Sequence, residues 1–481
     1  MAHEDTVENL QQVFHLDRAA PALQFQDRWL SYGQLADEIE ATRAGLRSAG
    51  VEPGSPVATV LPNNPAGLVS LLAVLMERAC VLTISPRRAA QDLAAAPPFA
   101  VVLGPRADVV GGRDVGGGLG LVVAPGPGQA TSRGTAFLMA TSGTTGDPKR
   151  IPISYATIDG VVSGVRSMAN KQAPALTLRD DVTLICFPYT NLSGVLPQLI
   201  AVVSGRRTAL LERFDPTRVA ELIAEHSMTS LALNPTTMQM LVDSDIDPAM
   251  LSTVKYARSG SAPLRPDLAK TFEERFGIGV LQSYGQTEVG GEVVGWSAAD
   301  HRGFGVTKRG SVGRPHPGIE LRVVARDSGP SVELPLGETG ELWLRGARNV
   351  DGWHRMGDLA RIDADGFVWI EGRADALIIC GGFNIVPAAL ERVLDAHPAV
   401  RESAVVGRPD DRLGEVPVAL VSLKPGAAIT PEDLVAHSRG HLEPFQVPRH
   451  VVVLDDLPRT EIGKLHLPSL RALAASSTPA A

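Results

Sequence analysis

Short, almost unbroken apolar runs alternate with longer amphipathic stretches through the first hundred residues. PVATVL (56–61), ACVLTI (79–84) and FAVVLG (99–104) have the length of strands, while LADEIEATRAGLRSAG (35–50) sets Leu35, Ile39 and Leu46 at roughly helical spacing. This alternation predicts an α/β fold built in layers. The Gly- and Pro-rich segment 104–127 contains GGRDVGGGLG, but no helical pattern follows at the offset a dinucleotide fingerprint needs, so a connecting loop is expected. The pattern changes again at residues 371–375, after ARIDADGFVWIEG (360–372), where Asp365-Gly366 sits between two alternating runs as a hairpin turn. A domain boundary is expected there, giving a large N-terminal domain of layered α/β subdomains (1–372) and a small C-terminal α+β domain (373–481). In the latter, VPAALERVLDAH predicts a helix begun by Pro387, and SAVVGR and VPVALVSL predict strands.

At 481 residues the chain exceeds what one core organises, which agrees with two domains. A hydrophobic content of 44% with 20% charged residues is that of a folding chain. The net charge of -8 argues against nucleic acid or an acidic membrane surface as partner, yet it leaves small anions open, because a few cations and backbone N–H groups bind phosphate whatever the total. Cys80, Cys186 and Cys380 are too widely spaced for a disulfide framework or a metal cluster, so reduced thiols in the cytoplasm are expected. The acidic start MAHEDTVENL and the shortness of the apolar run GLVSLLAVLM predict neither a signal peptide nor a membrane span. Seven lysines stand against 38 arginines. A lysine in such a chain suggests chemistry that needs a compact point charge.

TSGTTGDPKR (141–150) follows the strand-like TAFLMA. Small hydroxyl residues and glycines let backbone N–H groups approach phosphate oxygens, and Lys149 adds charge. A Walker A loop would place Ser or Thr after the lysine, whereas Arg150 stands here. The segment resembles the phosphate-binding loop of the adenylate-forming superfamily, which includes acyl-CoA synthetases, luciferases and peptide-synthetase adenylation domains. Further segments resemble that superfamily's motifs in the same order: SGSAPL from Ser259, SYGQTE from Ser283, MGDLARIDADGF from Met356, GRADALIICGGFNI from Gly372 and PRTEIGKL from Pro458. The acyl- or aryl-CoA synthetases are the most similar branch.

The resemblance implies a role for each matched residue. Thr141, Ser142, Gly143, Thr144, Thr145 and Lys149 cradle the phosphates of ATP. Tyr284 stacks on adenine against the turn of Gly260, Ser261, Ala262 and Pro263. Thr287 contacts the α-phosphate, Glu288 holds Mg²⁺, Asp358 accepts from the ribose hydroxyls, and Arg373 lies near ribose and phosphate. Lys464 bridges the attacking carboxylate and the α-phosphate during adenylation. Asp375 lies at the hinge (373–375) of a mobile C-terminal domain, and Gly381 and Gly382 admit the pantetheine arm. Tyr189, Asn191 and Ser259, with Ser193 and Asn234, surround the acid.

The implied reaction makes acyl-AMP from a carboxylic acid and ATP, then a thioester with coenzyme A. A free-standing adenylation enzyme loading an acyl carrier protein is the alternative, and a nucleotide-binding scaffold without catalysis is a third reading. Pro188 stands where amino-acid selectors hold Asp, which argues against an amino acid substrate. Three features depart from the pattern: Arg150 replaces Gly, so it either stiffens the loop or adds a phosphate contact; the 346–356 connection is shorter than usual, with some stability or lid contact expected to be lost; and Asn191 stands where many relatives carry His.

Overall fold

The computed structural model describes residues 5–106, 108, 113–116, 118–123, 134–141, 149–169, 176–326, 328–460 and 463–477. Packing divides the chain into two compact units. The described residues up to Val293 form the first with Ala347–Val350, and Val294–Gly346 with the residues from Asp351 onward form the second.

The predicted apolar runs become parallel strands. Pro56–Val60 pairs with Cys80–Ile84 on one side and Val101–Pro105 on the other, and Cys80–Ile84 pairs with Thr135–Thr141. The first two strands are buried along their whole length, so their apolar side chains serve both faces. The amphipathic stretch is the helix Tyr32–Ser48. A reciprocal capping box between Ser31 and Gln34 starts it, and Leu35, Ile39, Thr42 and Leu46 form its buried face. GLVSLLAVLM lies in the helix Pro65–Met76, whose residues from Gly67 onward are all buried. Among the described residues no helix is long and apolar enough to cross a membrane.

The expected loop at 104–127 is corrected in part. Leu119–Val123 pairs antiparallel with Val101–Pro105, and Arg113–Asp114 extends that edge. Leu119 and Leu121 turn into the core at 0% and 3% exposure, which glycine content alone conceals.

A second sheet in the first unit runs Ser230–Leu233, Tyr256–Ser259 and Gly279–Gln286, all parallel. Its helices Pro235–Asp243 and Pro266–Phe276 each begin with proline in the first turn, where the missing N–H costs nothing. The strand Gly291–Gly295 carries the chain across to the second unit.

The second unit holds an antiparallel array and a mixed one, in which Gly414–Leu423 also pairs parallel with His450–Leu454. Glu320–Val324, Gly340–Arg345, His354–Ile362 and Val368–Arg373 are joined in chain order. The predicted Asp365-Gly366 turn closes the last hairpin, with Gly366 at φ 78° and the Asp363 carboxylate accepting from the backbone N–H groups of Asp365 and Phe367. The other array centres on Val400–Asp410 paired with Gly414–Leu423, and the helix Pro387–Asp395 starts at its proline as predicted.

That helix holds Glu391 half-buried against the sheet, where its Oε1 accepts from Val405 N–H at 2.8 Å. Burial, reinforced by Asp395 and Glu402, pushes this carboxyl up to about 7. A raised carboxyl pKa means the folded protein holds a proton that the unfolded chain releases, so stability falls as pH rises from about 4.5 to about 7. Glu391→Gln is expected to flatten that decline and raise Tm at pH 8; a pH series of melting curves, parent against variant, checks it.

Candidate active site

In the first unit, two antiparallel strands flank the phosphate-loop segment. Thr135–Thr141 leads in, Lys149–Ser154 leads out, and Thr141 pairs with Lys149 and Ala140 with Arg150. The loop therefore leads into a strand, unlike a Walker A loop, which leads into a helix. Ser142, Gly143, Thr144 and Thr145 lie outside the described residues. Arg150 anchors the hairpin: its guanidinium donates to the carbonyls of Thr83 (2.9 Å) and Asp92 (3.2 Å), and burial holds its pKa below the usual arginine value. These bonds tie the outgoing strand to the strand Cys80–Ile84 and the helix Ala89–Ala94.

The 260–263 turn and the segment from Tyr284 to Glu288 lie at the carboxyl ends of the strands of a parallel sheet, where α/β sheets bind ligands. The strand Tyr256–Ser259 runs straight into Gly260, Ser261, Ala262 and Pro263. A Cβ on Gly260 would lie 2.8 Å from Ser283 Oγ, and Ser261 holds the left-handed φ of 70°. Strain of that kind, about 1–3 kcal/mol, persists where surroundings enforce it, commonly at ligand sites. Tyr284 lies near the end of the adjacent strand Gly279–Gln286, partly exposed, with its hydroxyl accepting from Gln286 Nε2 at 3.4 Å. Gly285 permits the tight return of the chain, since a Cβ there would fall 1.9 Å from the Gly291 carbonyl oxygen. Thr287 and Glu288 form the 3-10 turn Thr287–Val289, both half-buried.

Around the expected acid pocket the polar groups divide. Tyr189 is fully buried, its hydroxyl donates to Gln198 Oε1 at 3.0 Å, and its N–H donates to Asn63 Oδ1 at 3.1 Å. That phenol belongs to the core and stays neutral, burial pushing its pKa far up. Asn234 caps the helix Pro235–Asp243 by accepting from Thr237 N–H. Asn191 precedes the helix Leu192–Val203 without capping it, and Ser193 lies half-buried in its first turn. Ser259 is 1% exposed, and its hydroxyl makes no hydrogen bond within the described structure.

The second unit brings Asp358, Arg373 and Asp375 together. Asp358 and Arg373 face each other across two paired strands. Arg373 Nη1 lies 3.4 Å from Asp358 Oδ1, and its Nε lies 3.1 Å from Asp375 Oδ1. Gly357, at φ 73°, keeps the space beside that guanidinium clear. Gly381 and Gly382, at φ 58° and 87°, form the exposed turn joining Ile378–Cys380 to Phe383–Ile385. Cys380 is buried, as expected of a small hydrophobe.

Lys464 is exposed on a loop held by its own neighbours. Thr460 N–H donates to the Lys464 carbonyl (2.7 Å), Lys464 N–H to Thr460 Oγ1 (3.2 Å), and Arg459 Nη1 to the Gly463 carbonyl (2.8 Å) while pairing with Glu402.

The short 346–356 connection contributes Arg348 and Asn349 to the packing of the first unit. Arg348 lies across the helix Tyr155–Ala169 where Gly160 makes room: a Cβ there would come within 2.5 Å of its Cδ. Asn349 follows, bonded to Pro152, Thr157 and Glu288 of the first unit. Both residues escaped the sequence reading because they carry no motif of their own. Among the described residues no group of three or more His, Cys, Asp or Glu side chains gathers as a metal cage.

Comparison with known proteins agrees with this arrangement. Residues 11–96 and 112–354 match the AMP-binding enzyme family, and 389–464 match the AMP-binding enzyme C-terminal domain. Indoleacetate–CoA ligase of Aromatoleum aromaticum is 31% identical over 96% of this chain and 97% of its own. The 4-coumarate–CoA ligase 5 of Oryza sativa subsp. japonica is 31% identical over 94% and 90%. Among solved structures, ATP-bound MatB from Rhodopseudomonas palustris superposes with a TM-score of 0.78 at 25% identity, covering 98% of this chain and 99% of that one. The o-succinylbenzoate CoA synthetase of Bacillus subtilis, with its acyl-adenylate OSB-AMP, gives 0.78 at 26% over the same shares. The chain belongs to the AMP-binding enzyme family and carries that family's C-terminal domain.

Proposed function

We propose that this AMP-forming acid–thiol ligase converts a carboxylic acid and ATP to acyl-AMP and pyrophosphate, then passes the acyl group to the thiol of coenzyme A with release of AMP. The observation that carries the reading is the arrangement of Tyr284, Thr287 and Glu288 beside the 260–263 turn, at the carboxyl ends of parallel strands. The names of the relatives support the thiol acceptor, since those at 31% identity are CoA ligases over nearly the whole chain.

In this reading the hairpin loop with Lys149 takes the phosphates, Tyr284 and the 260–263 turn take adenine, and Thr287 takes the α-phosphate. Asp358 accepts from the ribose hydroxyls, oriented by Arg373 across the strand pair. Glu288 is a single half-buried carboxylate, which suits an Mg²⁺ that arrives on the nucleotide and keeps mostly phosphate and water ligands. Bound there, the metal would neutralise phosphate charge. Lys464 attracts both the incoming carboxylate and the α-phosphate, at roughly 4 kcal/mol each for 4 Å and an effective ε of 20. Arg373–Asp375 is the pivot between residues 1–372 and 373–481, and Gly381 and Gly382 line the thiol's approach. The cytoplasm is the expected compartment, in keeping with three free cysteines.

The acid is an aryl or short functionalised one. Ser259 and Asn191 supply the polar groups, whereas Tyr189 is committed to Gln198. A panel of indoleacetate, 4-coumarate, short dicarboxylates and long alkyl acids in acid-dependent ATP–pyrophosphate exchange tests this; preference for the long alkyl acids would refute it. Asp358→Ala is expected to raise KM for ATP at least about tenfold, through loss of a charge-assisted acceptor of roughly 1.5–3 kcal/mol, with KM for the acid nearly unmoved. Steady-state kinetics in each substrate separates these, and an unchanged ATP dependence removes Asp358 from the site.

A further inference from the structure

Asn349 joins two regions that lie far apart in sequence, the strand-to-helix junction at 152–157 and the turn at Glu288. Its Nδ2 donates to the Glu288 carbonyl at 3.0 Å and to the Pro152 carbonyl at 3.1 Å, and its Oδ1 accepts from Thr157 Oγ1 at 3.1 Å. Two carbonyls and one hydroxyl donor fix which end of the amide is which. Pro152 lies on Lys149–Ser154, the strand leaving the phosphate loop, and Thr157 lies in the first turn of the helix Tyr155–Ala169. Ser154 completes the set, its Oγ accepting from Thr157 N–H at 3.0 Å. Gly290, just past the Thr287–Val289 turn, has φ 82°; a Cβ there would come within 2.7 Å of Thr157 Cγ2 and 3.4 Å of Asn349 Cβ. The turn is therefore seated against Asn349 by close packing as well as by the hydrogen bond.

We propose that Asn349 is a positioning residue for the Glu288 carboxylate, fixing the Thr287–Val289 turn to the outgoing strand of the phosphate loop so that metal and phosphates are presented in one register. The inference rests on Glu288 taking the metal of MgATP. Asn349 touches neither nucleotide nor metal in this arrangement; it acts through the backbone of the residue that does. Residues that orient a metal ligand characteristically alter metal affinity when removed, by about 10- to 100-fold.

The test is ATP–pyrophosphate exchange titrated with Mg²⁺ at fixed ATP, for the parent, Asn349→Ala, Asn349→Asp, Thr157→Val and Glu288→Gln. Asn349→Ala is expected to raise the Mg²⁺ concentration for half-maximal exchange about tenfold. Asn349→Asp, which keeps size and the acceptor but loses both donations, should do the same, and serves if the alanine variant does not fold. Thr157→Val should shift it less, because both carbonyl contacts remain. A purely structural Asn349 would lower Tm and maximal rate while leaving the Mg²⁺ midpoint in place, and that result overturns the proposal. Glu288→Gln separates the two levels. If it shifts the midpoint and neither Asn349 variant does, the positioning role is wrong and the reading of Glu288 stands; if it does not, both fall.

Discussion

Lys464→Ala will lose at least about a hundredfold in adenylate formation, the scale on which a group stabilising developing charge is missed. Thioester formation from supplied acyl-AMP will be largely spared. The expectation rests on how the lysine is held. Its backbone exchanges hydrogen bonds with Thr460, and Arg459 clamps Gly463 beside it while pairing with Glu402 on the long strand Val400–Asp410. These contacts tie the backbone of Lys464 to a paired strand, and its side chain lies exposed. Rapid-quench assays of the two half-reactions decide the matter, and equal losses in both would make Lys464 a structural residue.

Asp375→Pro will block thioester formation and leave adenylation active. Proline fixes φ near -65° and removes an N–H, which would freeze the position proposed as the pivot between the two steps. Asp375 lies in the 3-10 turn Ala374–Ala376, directly after the strand that ends at Arg373. The same substitution removes the carboxylate paired with Arg373. Asp375→Ala is therefore the control: it deletes the ion pair while keeping the backbone free, and it should retain thioester formation. Acyl-AMP accumulating on the proline variant, detected by mass spectrometry after denaturation, is the expected signature. Thioester turnover at the parent rate would place the pivot elsewhere.

Contiguous features were legible in the sequence. Continuous apolar runs became the buried parallel strands at Pro56–Val60 and Cys80–Ile84, Pro387 opened a helix, and Asp365-Gly366 closed a hairpin, because each depends on residues adjacent in the chain. The site motifs share that property. What escaped was non-local. Nothing in the string around Asn349 announces that its amide meets Glu288, Pro152 and Thr157, and nothing around Arg150 announces the carbonyls of Thr83 and Asp92. The strand Leu119–Val123 was hidden by the glycines around it, though Leu119 and Leu121 are buried in the core. Scarcity of lysine proved a weak guide to chemistry: Lys308 pairs with Asp363 and Asp365 beside a hairpin turn, and Lys270 with Glu274 along a helix. Tyr189 looked like a pocket residue from its neighbours in sequence, whereas its hydroxyl satisfies a buried Gln198.

The central claim is that this chain makes an acyl-adenylate on the way to a thioester. Incubating the protein with MgATP, coenzyme A and the best acid of the panel, and quantifying nucleotide and acyl products together, tests it most directly. One AMP and one pyrophosphate for every thioester formed, with acyl-AMP building up when coenzyme A is withheld, is the predicted result. ADP and phosphate in place of AMP and pyrophosphate, or thioester formed with no acyl-AMP on omission of coenzyme A, would contradict it.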